Sequence, residues 1–229
     1  MFFDLHMHSC YSVDALTKPE TIVKICKKNK WGFSLTDHNT TGAYTRGRIK
    51  QIAKKERVFL IPGEEIKVIE KKDGKNKNVG EVIAYFLQKE ILPSTFKEIL
   101  DEIKSQNALL SCPHPFEWSR SNFKGFEKQI KHFSCMEVYN ARAYYQGLNE
   151  KSIDFFEKKG RGRVAPLGVS DAHTPEEIGN GLTEINASNE EEFRKEIKKG
   201  RTKVIQNNKA NLWHHAQTQL ARRNLIKER

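Results

Sequence analysis

The sequence predicts an α/β fold, either a barrel or an open parallel sheet. Two observations carry that expectation. Seven short apolar runs alternate with amphipathic stretches along the 229 residues, as strand–helix units do. Histidines and carboxylates gather just after those runs. The length allows one sizeable domain with its own core. No apolar segment approaches the roughly 20 residues needed to span a bilayer.

The candidate strands, in order, are 1–7 (MFFDLHM), 33–36 (FSLT), 58–62 (VFLIP), 79–87 (VGEVIAYFL), 108–112 (ALLSC), 135–139 (CMEVY) and 164–169 (VAPLGV). After the first, Thr17 and Glu20 have the spacing of a capping box. The helix that follows places Ile22, Ile25 and Cys26 on one face. The turn KKDGKNKN separates strand-like residues 66–70 from 79–87, which predicts a hairpin. Ser94 is a candidate N-cap for a helix whose apolar face is Ile99, Leu100 and Ile103. Ser188 with Glu191 repeats the capping-box spacing before EEFRKEIKK, and Gly200 is its natural stop. Residues 1–206 read as one domain. Residues 207–229, NNKANLWHHAQTQLARRNLIKER, read as a basic helical tail outside the alternation.

The net charge of +11 suits an anionic partner or substrate. Much of the excess falls in 24–30, 67–78 and the tail, which also read as solvated faces and a turn. The start, MFFDLHMHS, has no basic region and no long apolar core, so no signal peptide is expected. Cys10, Cys26, Cys112 and Cys135 have no CxxC spacing. They are expected to be buried reduced thiols of a cytoplasmic protein with no membrane partner.

The polar residues mark one place. His6 and His8 end the first strand, Asp37 and His38 follow the second, and Glu64 and Glu65 follow the third. His114 follows ALLSC, Asn140 and Arg142 follow CMEVY, and Asp171 and His173 follow VAPLGV. In a parallel barrel these strand ends share one rim, where active sites assemble. The HxH spacing puts two imidazoles on one strand face, and SDAH at 170–173 offers a carboxylate and an imidazole in the same geometry. Imidazole and carboxylate together suit zinc, manganese or iron. The number of such groups exceeds what one four-coordinate ion needs, so two or three divalent ions are expected. Each motif alone has a plainer reading: LTDHNT as an Asx-type turn, CPHPF as a proline-shaped loop, PGEE as a turn before an acidic strand.

Taken in order, DLHMHS, TDHNT, PGEE, CPHP, EVYNAR and GVSDAH resemble the motifs of the PHP (polymerase and histidinol phosphatase) superfamily, from residue 4 to about 180. The resemblance implies a distorted (β/α)7 barrel with up to three metal ions at its C-terminal rim, and phosphoester hydrolysis as the usual activity. It implies that His6, His8 and Asp171 bind one ion. Glu65 bridges that ion to a second, which His114 also holds. Asp14, His38 and His173 bind a third. Many relatives carry a histidine in an H-x-x-G-Y run. The aligned stretch here is GEVIAYF, with Glu81 in the histidine position, and a carboxylate there favours harder ions such as Mn²⁺. Glu64 points to the opposite strand face and is expected to be structural.

These parts fit metal-assisted hydrolysis in which a hydroxide bridging two ions attacks phosphorus. His6, His8, Glu65, Asp171 and His173 are the expected catalytic core. Asp4, Asp37 and Glu137 are expected behind the ligands as hydrogen-bond acceptors. Arg142, Asn140 and Arg120 are expected to grip the phosphate. Trp118, Phe116, Tyr139 and Tyr144 are candidates for stacking a base. With the positive charge, they favour a nucleotide or oligonucleotide substrate. A small phosphomonoesterase resembling histidinol phosphatase, and a non-catalytic metal-stabilised nucleic-acid-binding module, are the alternatives. WHHAQTQLARRN is the feature that favours the module. Its adjacent His214 and His215 read as surface residues.

Overall fold

The computed structural model describes residues 1–72, 74–118 and 121–226. Strands β1 (Phe2–Asp4), β2 (Gly32–Leu35) and β3 (Leu60–Lys72) pair in parallel. β3 turns back through a hairpin into β4 (Lys75–Tyr85), and β4 pairs antiparallel with β5 (Leu109–Cys112). β5, β6 (Cys135–Asn140) and β7 (Ala165–Val169) are parallel again. The expected hairpin therefore forms and sets β4 against the direction of its neighbours. The ring closes because the chain beyond β1 pairs with the chain beyond β7. The Asp171 N–H donates to the His6 carbonyl and the His8 N–H to the Ala172 carbonyl, each at 2.8 Å.

Two further strands lie beyond the seven expected. β8 (Gly181–Ile185) pairs antiparallel with β1, and β9 (Thr202–Gln206) pairs with β8, giving a nine-stranded sheet among the described residues. β9 is half-buried at the sheet edge. Its sequence TKVIQ therefore lacks the continuous apolar run that betrays a buried strand.

The first strand is shorter than 1–7. Phe3 and Leu5 belong to one apolar cluster while Met7 belongs to another, so strict alternation breaks between Leu5 and Met7. That break lets Asp4 and His6 serve different places.

The helices are α1 (Pro19–Asn29), α2 (Gly42–Thr45), α3 (Ile49–Glu56), α4 (Phe96–Ser105), α5 (Phe126–Gln129), α6 (Gln146–Phe155), α7 (Glu190–Lys198) and α8 (Leu212–Arg222). The expected box at Thr17 does not form. Lys18 is the N-cap, and Pro19 opens the helix with its preset φ. Thr95 rather than Ser94 caps α4, in a reciprocal box with Glu98. Asn189 rather than Ser188 caps α7. Each cap is the polar residue whose side chain reaches the N3 amide, and a pair of adjacent polar residues does not reveal which one that is. Gly200 follows α7 at φ 64°, the left-handed region a glycine enters without strain.

Three apolar clusters result. One fills the barrel with Phe3, Leu5, Ile61, Ile83, Tyr85 and Leu167 and is closed by Phe193 and Ile197 of α7. One lies beneath α4, α5 and α6, and one beneath α1 and α3. No helix among the described residues is long and apolar enough to cross a membrane.

Candidate metal centre

The closure of the barrel brings the histidines together. His6 Nδ1 donates to Glu137 Oε1 at 2.7 Å, and an ionised carboxylate can only accept. His8 Nδ1 lies 3.3 Å from Ser12 Oγ. That hydroxyl sends its own proton to Asp37 Oδ1 at 3.0 Å, so it accepts from the ring. His173 Nδ1 donates to the Asp171 carbonyl at 2.8 Å. With the Nδ1 positions carrying the protons, the three Nε2 atoms present lone pairs. The Nε2 atoms of His6 and His8 face each other at 3.0 Å. Two neutral imidazoles held that close in a buried site need a proton or a metal ion between or beside them.

The carboxylates supply the rest of the donor set. Glu65 Oε2 lies 3.5 Å from both His6 Nε2 and His8 Nε2, and 2.9 Å from His38 Nδ1. Its Oε1 lies 3.1 Å from His114 Nε2. Asp171 Oδ1 is 3.6 Å from His6 Nε2 and 3.5 Å from His8 Nε2. Glu81 Oε1 approaches His38 Nδ1 to 3.9 Å. Asp14 Oδ2 is 3.5 Å from His38 Nε2 and 3.7 Å from His173 Nε2. Ligand atoms fall into overlapping groups, among them His6–His8–Asp171, His6–Glu65–His114, His38–Glu65–Glu81 and His8–His38–His173. All nine side chains expected as ligands thus converge on one cluster, Glu81 included. The donor set fits divalent cations.

The electrostatics agree. Burial alone would depress His6, but Asp171, Glu137 and Glu65 raise it well above its ordinary value. Burial would raise Glu65, but His6 and His38 hold it well below the carboxylate range. His8 is pushed down by burial and by His173 and His38. Burial, with the Glu65 charge beside it, pushes Glu81 up to about 7. Such a site takes up protons when no other cation is there. Two of the ligand positions also carry backbone strain: His114 at φ 26° and Asp171 at φ 55°. Strain of this kind collects where function over-determines the chain.

Several expected roles change. Arg142 lines the cleft, but its guanidinium is already engaged by protein partners. It is buried, paired with Glu177 and donating to Thr218 Oγ1 at 2.9 Å. Asn140 is turned inward as well, donating to Glu137 Oε2 at 2.9 Å and to Asp171 Oδ2 at 3.1 Å, so it orients ligands. Asp4 accepts the Ser170 and Gly179 amides and touches no ligand imidazole. Asp37 acts one step back, holding Ser9 and Ser12. Glu137 is the acceptor that directly orients a ligand histidine. Arg120 lies outside the described residues. Of the aromatics, Phe116 packs against Phe126 and Phe155, and the buried Tyr139 donates to the Asn208 carbonyl. Trp118 and Tyr144 are exposed and meet edge to face, with centroids 6.1 Å apart. Glu64 is structural, accepting the Ile91 amide at 2.9 Å.

The cleft over the cluster has a volume of about 800 Å³. Ser12, Glu177, Lys67 and Arg222 were not singled out from sequence. Glu177 had a usable signal, because Thr174 and Glu177 have capping-box spacing and form that box. His215, read as a surface residue, lines the cleft, as do Lys67 and Arg222.

Comparison with known proteins places this geometry in context. The PHP-associated family model matches residues 147–202. An uncharacterized protein of Methanocaldococcus jannaschii is 31% identical over 197 residues, covering 82% of this chain and 72% of the relative. A similar solved structure is a two-domain protein of Bacteroides vulgatus containing a predicted PHP-like metal-dependent phosphoesterase. It is 21% identical at a TM-score of 0.69, and the match covers 90% of this chain and 65% of that one. PsfC of Pseudomonas syringae is 14% identical at a TM-score of 0.64, with 98% of both chains covered.

Proposed function

Because the chain belongs to the PHP (polymerase and histidinol phosphatase) superfamily, we propose that it hydrolyses a phosphoester with two or three divalent ions at the barrel rim. The observation that carries this reading is the convergence of the His6 and His8 Nε2 atoms, 3.0 Å apart, with Glu65 and Asp171 oxygens beside them. His6, His8 and Asp171 would hold one ion, Glu65 would join it to a second at His114 and Glu81, and Asp14, His38 and His173 would hold a third. Bound ions would supply a water of lowered pKa and neutralise phosphate oxygens.

The chain's own residues do the positioning. Glu137 and Ser12 keep protons on the outer ring nitrogens, so the inner nitrogens stay available. Asn140 fixes Glu137 and Asp171 relative to each other. Such preorganisation avoids reorganisation at the moment of reaction.

For substrate, the reading is a nucleotide or oligonucleotide phosphate. The exposed Trp118–Tyr144 pair supports it as a stacking platform, and Lys67 and Arg222 add positive charge to the cleft. Cys10, Cys26, Cys112 and Cys135, all reduced, suit a reducing, cytoplasmic setting.

The test is a substrate panel run with Mn²⁺, Zn²⁺ or Fe²⁺: mononucleotides, nucleoside bisphosphates, short single strands, histidinol phosphate and a small aliphatic phosphate ester. Preferred turnover of the base-containing members supports the reading. Preference for histidinol phosphate would replace it with the small-phosphomonoesterase alternative. No turnover with any ion rejects catalysis.

A further inference from the structure

The basic C-terminal segment is not a free tail. The Asn207 and Asn208 amides donate to the Asn180 carbonyl, and the Ala210 amide donates to the Ala141 carbonyl. Asn211 then caps α8 in a box with His214. Gln217, Thr218 and Ala221 are buried, and Thr218 is held by the buried Arg142–Glu177 pair. Arg222 follows Thr218 by four residues and so shares its helix face. The anchor that fixes α8 therefore also aims Arg222.

Its target is a residue of the ion cluster. Arg222 Nε and Nη2 both donate to Asp14 Oδ2, at 3.0 and 2.7 Å. The same oxygen lies between His38 Nε2 and His173 Nε2. A guanidinium and a divalent ion at that corner would share one carboxylate oxygen, and their like charges would oppose each other. The other positions, at His6–His8–Asp171 and at Glu65–His114, do not use Asp14. The two partners also differ in freedom. The Arg222 side chain is 49% exposed and that of Asp14 1%, so the arginine can yield without unpacking the core.

We propose that Arg222 is a tethered cation that competes with the third ion for Asp14, so that α8 sets how many ions the site retains. This inference rests on the metal reading above. In the chain as it stands, two ions bind tightly and the third weakly.

The experiment is equilibrium dialysis of the full chain against stepwise Mn²⁺, with bound metal counted for wild type, Arg222→Gln and Arg222→Lys. The first two equivalents should bind alike in all three. The third should bind about tenfold more tightly in Arg222→Gln, within the usual range of coupling between sites. It should stay near the wild-type value in Arg222→Lys, which keeps the charge. Third-equivalent affinity that is equal or weaker in Arg222→Gln would overturn the proposal while leaving the metal reading intact. Absence of any bound ion in every form would overturn both. Asp14→Asn should remove the third equivalent from both wild type and Arg222→Gln, and its retention there would also count against the proposal.

Discussion

The two sides of the cleft are built differently. On one side, His6, His8, His114 and Asp171 stand just beyond strand ends and Glu65 stands within β3, and the closure of the barrel converges them. On the other, Arg222 and His215 stand on a helix fixed by a few buried polar contacts. The strand side is held by backbone ladders and three apolar clusters. The helix side is tied down by the backbone amides of Asn207, Asn208 and Ala210 and by the buried contacts of Arg142, Glu177 and Thr218. The strand side, where the cation site is proposed, is thus rigid by architecture, while the facing wall is attached at a few points, so single substitutions should separate the two.

The largest effect is expected from Arg142→Met. Removing one partner of a buried ion pair leaves Glu177 uncompensated, which costs about 3–5 kcal/mol. Urea unfolding should show that loss, and limited proteolysis should cut near α8 first. Binding of the first two Mn²⁺ equivalents should survive in the folded fraction. Their loss in protein that remains folded would show that the two sides are one unit.

Glu137→Ala attacks the strand side from behind. It removes the acceptor that fixes His6 Nδ1 and one partner of Asn140. Metal affinity should fall about 10–100-fold, read by calorimetry, with α8 still protected from protease. Unchanged affinity would mean that the packing of the ring, and not this hydrogen bond, orients His6.

A smaller, graded effect follows from pH. Glu81 is pushed up to about 7 by burial and by Glu65, so below that pH it carries a proton and cannot ligate. His6 and His38 are also raised, so protons compete with metal there too. Mn²⁺ affinity should therefore fall as pH drops from 8 to 6, by about tenfold per pH unit for each proton displaced. Glu81→Gln should flatten that profile below pH 7. An equally steep profile in the variant would show that Glu81 takes no part.

The same contrast explains what was legible in the sequence. HxH and SDAH are local patterns just beyond strand ends, and strand direction puts them on one rim, whereas G-x-E lies inside β3. Asp14 and Glu81 entered the expected ligand set only through the family resemblance. The reversed strand β4 was legible from its turn. Arg142 does line the rim cleft as an arginine after a strand can, but its guanidinium is committed to Glu177 and Thr218. Its true partners lie 35 and 76 residues away, and no local pattern announces such a contact. The α8 dock was hidden for the same reason: a basic amphipathic segment reads alike whether solvated or seated on a rim. β9 was missed because a half-buried edge strand carries mixed side chains, and β8 because its sequence GLTEI, though mostly buried between β1 and β9, has no continuous apolar run.

The central claim is that the facing histidines hold divalent ions. Metal analysis of the full chain after loading with Mn²⁺ at pH 8, beside His8→Ala, tests it most directly. The account predicts at least two equivalents bound in the wild type, fewer in the variant, and phosphoester turnover only in the former. Equal metal content in the two proteins, or undiminished turnover in His8→Ala, would contradict it.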